Sequence, residues 1–180
     1  MVIEKTFIEG LLIITSKIFE DPRGYFFESY NQKLLEAAGV KENFVQDNQS
    51  LSQKGVLRGM HFQNPPCAQG KLVRVITGAV LDVVVDIRRE SLTYGKYFAI
   101  ELTEQNKTMF WVPVGFAHGF LTLKDNTIFY YKCSNYYNKE SERTIAWNDK
   151  NINIIWNIEN PSLSEKDKTG TALKDFISPF

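Results

Sequence analysis

The chain has 180 residues, of which 43% are hydrophobic and 13% aromatic, and its 21 basic residues equal its 21 acidic residues in number. This length and composition are typical of one globular domain with a sizeable core. A zero net charge argues against nucleic acid or an acidic membrane as a partner, because it offers neither polyanion a net positive field. A small phosphorylated ligand is compatible with it, since a few converging Arg and Lys side chains hold a diphosphate.

Cys67 and Cys133 are the two cysteines of the chain, and no CxxC motif occurs. Two cysteines are too few for a disulfide framework, so a reducing compartment is the simplest environment. The apolar run Leu11 to Ile14 is too short for a signal-peptide core, and no run approaches the roughly 18 apolar residues of a membrane span. The sequence therefore predicts a cytoplasmic protein without a membrane segment.

Short strands are predicted at the beginning of the chain. Val2 to Ile8 and Leu11 to Phe19 are apolar-rich, and Asp21 to Gly24 has the composition of a turn. An aromatic strand from Tyr25 to Tyr30 follows, in which Glu28 is the one charged residue. We expect two or three strands before the first helix.

The residues after this region predict the one clear helix, from Asn31 to Ala38. Its first residue can cap the N-terminus, leucines at helical spacing form an apolar stripe, and Gly39 can end it. Phe44 to Leu51 then predicts a strand with Gln46 and Asn48 on one face.

Val56 to Gln63 predicts a strand that carries two functional side chains. Alternate residues of a regular strand point to opposite faces, so Arg58 and His61 would point apart. A bulge near Gly59 would bring both into one pocket. After a proline-containing turn, Lys71 begins another alternating strand and faces the same kind of surface as His61.

The second half of the chain continues the β pattern and ends in a polar tail from Ser164. Ala79 to Arg88 predicts a half-buried strand, with apolar residues on one face and Asp82 and Asp86 on the other. Other strands are predicted at Tyr97 to Leu102, Met109 to Pro113, Thr127 to Ser134, Thr144 to Trp147 and Ile152 to Trp156. Many short strands with one helix indicate an all-β sandwich or barrel, a single domain over residues 1 to 180.

Pro113 to His118 matches PxGxxH, which resembles the second signature of the cupin superfamily of jelly-roll barrels. Metal-dependent cupins carry an HxH pair in their first signature, whereas the corresponding place here offers only His61. With two histidines in the chain, the usual ligand set needs carboxylate or amide oxygens to be complete. We therefore expect no catalytic metal, and a metal-dependent cupin remains a rival hypothesis.

Each of these side chains also has a structural explanation. His61 and His118 are equally compatible with buried, hydrogen-bonded histidines, and Arg58 and Lys71 with ordinary ion pairs. A histidine acts as a general base only when a partner orients its other nitrogen, and no carboxylate near His61 in sequence does so. The residues alone leave the pocket hypothesis open.

Eight motifs occur in one order along most of the chain, from about Ile14 to Lys168. They are Asp21 to Glu28, Phe44 to Asn48, Leu57 to Gln63, Gln69 to Val73, Val83 to Arg88, Gly115 to Phe120, Tyr131 to Cys133, and Leu163 to Asp167. Together they resemble the dTDP-4-dehydrorhamnose 3,5-epimerase family of cupin-like jelly-roll enzymes. Met60 stands where that family usually has Leu. Asn157 stands where the family often has Pro, and this difference predicts a more flexible loop before Asp167.

The resemblance implies an isomerase of dTDP-L-rhamnose biosynthesis that inverts both carbons flanking the ketone of dTDP-4-dehydro-6-deoxy-D-glucose. It implies that His61 is the base, that Asp167 orients it, and that Lys71 stabilises the enolate. Tyr131 would return a proton from the opposite face, with a nearby cation lowering its pKa. The resemblance implies neither a metal nor an organic cofactor.

The resemblance also implies a homodimer that exchanges N-terminal strands, so that Arg23 and Phe26 reach the partner's site. The implied substrate-binding residues are Arg23, Phe26, Glu28, Gln46, Asn48, Arg58, His118 and Tyr137. Three alternatives stay open: an epimerase acting at one carbon only or on another 4-keto nucleotide sugar, a metal-dependent cupin, and a non-catalytic nucleotide-sugar binding domain.

Overall fold

The computed structural model describes all 180 residues and contains thirteen strands with two short helices. The strands are β1 (Val2–Lys5), β2 (Leu12–Thr15), β3 (Ile18–Asp21), β4 (Gly24–Phe27), β5 (Gln46–Ser52), β6 (Leu57–Gln63), β7 (Lys71–Thr77), β8 (Ala79–Asp86), β9 (Tyr97–Thr103), β10 (Met109–Val112), β11 (Phe116–Thr122), β12 (Thr127–Cys133) and β13 (Glu142–Thr144). The helices are α1 (Gln32–Ala37) and α2 (Glu165–Lys168), with a 3-10 turn at Leu173–Asp175. Neither helix has the length or apolar character to cross a bilayer.

Two antiparallel sheets form the body of the fold. The six-stranded sheet has the order β1-β2-β10-β7-β12-β5, and the five-stranded sheet has the order β13-β6-β11-β8-β9. Consecutive strands from β5 to β8, and again from β9 to β13, alternate between the sheets. This alternation is the jelly-roll arrangement, so the predicted all-β, cupin-like class is confirmed.

Alternate side chains of both sheets form the core between them. Phe129 of β12 stacks on Phe120 of β11 with ring centroids 4.3 Å apart, which joins the two sheets at the centre. Val73 and Val75 of the six-stranded sheet and Val84 of the five-stranded sheet belong to the same buried cluster. The period-2 pattern of these strands therefore corresponds to one face turned to the inter-sheet core.

Strand β8 is buried on both faces, which corrects the prediction of a half-buried strand. Val83 and Val85 pack beneath residues of the C-terminal segment, including Trp156 and Phe180. On the other face Asp82 is 0% exposed and lies between the sheets. The prediction was wrong because the carboxylate on the polar-looking face is buried with a partner instead of facing water.

Helix α1 covers the outer face of the six-stranded sheet. The side chain of Asn31 accepts a hydrogen bond from the backbone N–H of Leu34 at 3.2 Å, as predicted for the N-cap. Leu35 is 2% exposed and joins a buried cluster with Leu72 and Trp111. The predicted helix is confirmed.

Several predicted strands have different boundaries. The stretch Leu11 to Phe19 is divided into β2 and β3 at Ser16, whose buried hydroxyl donates to the carbonyl of Glu28 at 2.6 Å. Ile152 to Trp156 forms no strand, although both end residues are buried. Its apolar side chains cover the five-stranded sheet without a neighbouring strand to complete a hydrogen-bonded ladder. The strand predicted at Thr144 to Trp147 is instead β13, which ends at Thr144.

A bulge interrupts β6, as the sequence suggested. His61 pairs with His118 while Arg58 pairs with Phe120, so β6 uses one residue more than β11 between these pairs. Gly59 lies at the bulge with φ +146°, and a Cβ there would lie 2.5 Å from the Cα of Gly119. The extra residue turns Arg58 and His61 to the same side of the sheet.

Gly59→Ala is expected to destabilise the protein by about 3 kcal/mol or more, because it combines backbone strain with a clash against a neighbouring strand. Gly39→Ala is the matched control: Gly39 has φ +97°, and no atom lies within 4 Å of the place that an alanine methyl would take, so strain alone costs about 1 kcal/mol. Urea denaturation of both variants measures the difference. Equal losses for both would contradict the close approach.

Candidate active site

A cavity of about 460 Å³ opens between the two sheets, and Phe120 and Phe129 of the apolar core form part of its lining. The six-stranded sheet contributes side chains from β5, β7 and β12, and the five-stranded sheet contributes side chains from β6, β11 and β13. Its polar lining includes Gln46, Asn48, Ser50, Arg58, His61, Gln63, Gln69, Lys71, His118, Tyr131, Tyr137, Glu142, Ser164, Lys166 and Asp167. This size and polarity suit a small charged ligand.

His61 and Asp167 form a hydrogen-bonded pair in this cavity. His61 Nε2 lies 2.5 Å from Asp167 Oδ1, although the residues are 106 positions apart in sequence. The Asp167 side chain is 4% exposed and that of His61 is 23% exposed, so the imidazole remains open to the cavity. The carboxylate partner of His61, which the resemblance implied, comes from the segment predicted as a polar tail, and that segment is corrected here to helix α2 and its flanking loops.

Two backbone contacts hold α2 against the strands that carry the site. Before the helix, the Leu57 N–H donates to the carbonyl of Ser162 at 3.0 Å. After it, the Thr171 N–H donates to the carbonyl of Thr144 at 2.9 Å. Asn157 adopts φ +55°, which Asn tolerates and the ring of proline forbids. The segment reaches hydrogen-bond distance of His61 despite lacking that proline.

Burial lowers the pKa of His61 below its ordinary value of 6.5, although the hydrogen bond to Asp167 opposes this effect. Burial works against ionisation of Asp167, but hydrogen bonds from His61 and Ser164 outweigh it and hold the carboxyl pKa below its usual value. At neutral pH the pair is therefore a neutral imidazole beside a carboxylate. This is the protonation state that a general base requires.

Lys71 and Tyr131 face His61 from the other sheet. They lie on β7 and β12, and the Lys71 Nζ is 5.9 Å from the Tyr131 ring centroid. Burial lowers the pKa of Lys71 and raises the pKa of Tyr131 above 10.0. The expected lowering of the Tyr131 pKa is thus wrong: desolvation of the phenolate outweighs the opposing charge of Arg58. A phenol that stays protonated is suited to donate a proton.

A second histidine–carboxylate pair borders the cavity. His118 Nε2 lies 2.9 Å and 3.0 Å from the two carboxylate oxygens of Asp82, and His118 is 7% exposed. His118 thus combines the two interpretations left open by the sequence, since it is a buried, hydrogen-bonded histidine that also lines the cavity.

The nucleotide-binding candidates fall into two groups. Gln46, Asn48, Arg58 and Tyr137 line the cavity with the residues above. Arg58 Nε donates to Ser52 Oγ at 3.2 Å, and Tyr137 Oη donates to Glu142 Oε2 at 3.2 Å. The other three candidates, Arg23, Phe26 and Glu28, lie outside the cavity of the same chain.

These three residues lie on or beside the β3–β4 hairpin. Arg23 forms an ion pair with Asp21 at 2.5 Å, and its side chain is 89% exposed. Phe26 is 70% exposed, and Glu28 accepts a hydrogen bond from the Asn31 side chain at 3.0 Å. A single chain therefore does not bring them to the cavity.

Sequence reasoning missed Ser164, Lys166 and Glu142 as lining residues. Lys166 Nζ forms an ion pair with Glu142 Oε1 at 2.8 Å at the rim. A signal for Ser164 was present, since Ser-x-x-Asp is a helix-capping pattern that also places the serine beside Asp167. Glu142 gave no such signal, because its place in the cavity depends on the pairing of β13 with β6.

No three His, Cys, Asp or Glu side chains come together as a ligand set for a metal ion. Each histidine is instead paired with one carboxylate.

Fold and site together are those of a cupin-like enzyme whose cavity has a histidine–carboxylate pair on one side and a lysine and a tyrosine on the other. The sequence profile of dTDP-4-dehydrorhamnose 3,5-epimerase matches residues 5–175. The dTDP-4-dehydrorhamnose 3,5-epimerase of Shigella flexneri is 54% identical over 172 residues, covering 95% of each chain. This chain belongs to the dTDP-4-dehydrorhamnose 3,5-epimerase family, as the order of its motifs predicted.

Solved structures agree with this assignment. The dTDP-4-dehydrorhamnose 3,5-epimerase of Elizabethkingia anophelis NUHP1 superposes with a TM-score of 0.92 at 48% identity, covering 97% of both chains. The dTDP-6-deoxy-D-glucose-3,5-epimerase of Legionella pneumophila Philadelphia 1, in complex with dTDP-4-keto-L-rhamnose, gives 0.93 at 47% identity and covers 96% of this chain and 93% of that one.

Proposed function

We propose that the protein converts dTDP-4-dehydro-6-deoxy-D-glucose to dTDP-4-dehydro-L-rhamnose by epimerisation at C3 and C5, a step of dTDP-L-rhamnose biosynthesis. One observation carries the proposal: His61, paired with Asp167 of α2, and Tyr131 lie on opposite sheets and line one cavity. A sugar bound between them meets a base on one side and an acid on the other. The complex of the Legionella pneumophila relative with dTDP-4-keto-L-rhamnose supports this class of ligand.

The chemistry follows from this placement. Neutral His61 takes the proton from a carbon beside the ketone, and the electron pair of that C–H bond moves to form an enolate. The Lys71 ammonium stabilises the charge that develops on the enolate oxygen, in a site where burial strengthens the interaction. Tyr131 then gives its proton to the opposite face of the same carbon, which inverts it. The imidazolium of His61 then releases its proton to solvent and the phenolate of Tyr131 takes one up, so that a second cycle can invert the other of C3 and C5.

For the nucleotide, we propose that Arg58 binds the diphosphate while Gln46, Asn48 and Tyr137 contact the nucleoside. Arg58 is held by Ser52 and forms no ion pair within the chain, so its charge is available to an anion. His118 borders the cavity next to His61 across the β6–β11 pairing and completes the polar wall.

The proposal includes a homodimer in which the β3–β4 hairpin supplies Arg23, Phe26 and Glu28 to the partner's cavity. The hairpin forms a sheet of its own, and Phe19, Tyr25 and Phe26 on it are all more than half exposed. Exposed aromatic side chains grouped on one element favour burial in an interface. The free thiols Cys67 and Cys133 support a cytoplasmic location.

Mixed dimers of Arg23→Ala and His61→Ala subunits test this arrangement. If Arg23 acts across the interface, each heterodimer contains one site with neither change, so refolding equal amounts together should restore about a quarter of wild-type activity. If Arg23 acts within its own chain, every site keeps one change and no activity returns, which would refute the exchange. Each variant refolded alone is the control.

The reaction itself is tested with EDTA-treated protein and dTDP-4-keto-6-deoxyglucose in deuterium oxide, following the sugar carbons by NMR. Deuterium at both C3 and C5 is expected, and a coupled reductase assay then detects L-rhamnose. Uptake at one carbon only would replace the proposal with a single-site epimerase. Loss of uptake after EDTA, restored by a metal ion, would favour a metal-dependent cupin. Tight nucleotide binding without uptake would indicate a binding domain.

Asp167→Asn should lower kcat by about 100-fold or more, because an amide no longer selects the tautomer and orientation of His61. It should also move the acid limb of kcat/KM to lower pH. The Asp167 carboxylate raises the pKa of His61, so its removal lets the base stay neutral in more acidic solution. The pH profile of kcat/KM for the variant and the wild type measures the shift. If the acid limb is the same in both, Asp167 does not influence the titration of His61.

A further inference from the structure

Ser164 forms two hydrogen bonds with one residue, Asp167. Its hydroxyl donates to Asp167 Oδ2 at 2.7 Å, and the same oxygen accepts from the Asp167 backbone N–H at 3.2 Å. The second contact caps helix α2, which is an ordinary function of serine. The hydrogen bond from the Ser164 hydroxyl to Asp167 Oδ2 is not needed for capping. It is made to the carboxylate that also contacts His61.

The two oxygens of Asp167 therefore have different partners. Oδ1 faces His61 at 2.5 Å, and Oδ2 is held by Ser164. A carboxylate bound at one oxygen only can rotate about its terminal bond, whereas one bound at both oxygens has a single orientation. The hydroxyl thus fixes the plane in which Asp167 meets the imidazole.

We infer that Ser164 is a positioning residue for the epimerisation proposed above, completing a Ser164–Asp167–His61 chain that holds the base in its reactive orientation. Ser164 acts only through Asp167. Its side chain lines the cavity and Ser164 itself is exposed, so its replacement leaves the buried core intact. Any effect on catalysis must then come from this hydrogen-bond chain or from the helix cap.

The hydroxyl also changes the basicity of the pair, which provides a specific readout. A hydrogen bond to Asp167 stabilises its ionised form and weakens its pull on the imidazole proton. Without the hydroxyl, Asp167 should favour imidazolium more strongly, and the His61 pKa should rise. The other ionisable groups that line the cavity with His61 stay unchanged: Asp167 and Lys166 on α2, Glu142 on β13, Lys71 on β7, Tyr131 on β12, Tyr137 after β12, His118 on β11 and Arg58 on β6.

The test compares Ser164→Ala, Ser164→Gly and Ser164→Thr. Alanine removes both hydrogen bonds, glycine removes the hydroxyl but remains an acceptable N-cap, and threonine keeps both contacts. We expect kcat to fall about tenfold in the alanine and glycine variants, with the acid limb of kcat/KM about half a pH unit higher. KM and dTDP affinity should stay as in the wild type, and threonine should restore kcat and the limb.

Thr103→Ala is the matched control, since the Thr103 hydroxyl accepts a hydrogen bond from the backbone N–H three residues later, in Asn106, at 2.9 Å and lies outside the cavity. It should lower the urea midpoint while leaving kcat and the acid limb unchanged. If Ser164→Ala lowers the urea midpoint but leaves the acid limb of kcat/KM unshifted, Ser164 acts only as a helix cap and the inference is overturned. The inference is also overturned if Ser164→Gly has the kcat and the acid limb of the wild type.

NMR titration of the imidazoles gives a readout that needs no turnover, because the chain contains only two histidines. The His61 pKa should rise in Ser164→Ala and Ser164→Gly. If the wild type exchanged no deuterium, the proposed reaction would fail, yet this titration would still decide whether Ser164 acts on the His61–Asp167 pair. An unshifted His61 would overturn the inference by itself.

Discussion

His61→Ala should lower the rate of epimerisation by about a thousandfold or more and abolish deuterium uptake at both sugar carbons. The side chain is the one neutral base in the cavity that is paired with a carboxylate and still open to the ligand. In the proposed mechanism Lys71 is a protonated ammonium that stabilises the charge developing on the enolate oxygen, so it has no free electron pair with which to replace the base. Binding of dTDP should survive, because the diphosphate and nucleoside contacts lie with other residues.

Two controls keep this result interpretable. His61→Ala leaves Asp167 buried without its partner, which can destabilise the local fold. His61→Asn keeps a hydrogen-bond donor toward Asp167 and should be equally inactive with a urea midpoint nearer the wild type. Isothermal titration with dTDP measures binding for both variants. Full deuterium exchange in either folded variant would remove His61 as the base.

Tyr131→Phe should separate proton exchange from inversion. His61 can still remove a proton and return it, or a deuteron, to the same face, so uptake should persist at one carbon at least. Inversion needs a proton from the opposite sheet, and should fall about a hundredfold or more at one or both carbons. Because burial raises the pKa of Tyr131 above 10.0, the wild-type phenol should remain a competent donor throughout the neutral range.

Tyr130→Phe is the matched control, since Tyr130 is the neighbouring residue on the outer face of β12. Its hydroxyl donates to Asp47 at 2.8 Å and is outside the cavity. This variant should invert both carbons normally. NMR detection of deuterium position together with the coupled reductase assay distinguishes exchange from inversion. Normal inversion by Tyr131→Phe would transfer the acid role to another group.

Local patterns in the sequence were sufficient for several features of the fold. Asn31 and the leucines that follow it predicted helix α1, because capping and helical spacing act within a few residues. The alternation of β6 is also local, and it showed that Arg58 and His61 could share a pocket only through a bulge near Gly59, which the structure contains. The order of the eight motifs was specific enough to indicate the family.

The sequence by itself determined a β-rich chain, one capped helix, a strand that carries both Arg58 and His61, and the family. The family resemblance already implied that Asp167 orients His61, and the tertiary structure adds their contact at 2.5 Å. Only the tertiary structure decided that Asp82 is buried beside His118 and that the Tyr131 pKa rises. The physical reason is the distance along the chain over which each interaction acts. Hydrogen bonds and side-chain periodicity within an element depend on its own residues, whereas burial and long-range pairing depend on which surfaces the packed sheets and the C-terminal segment bring together.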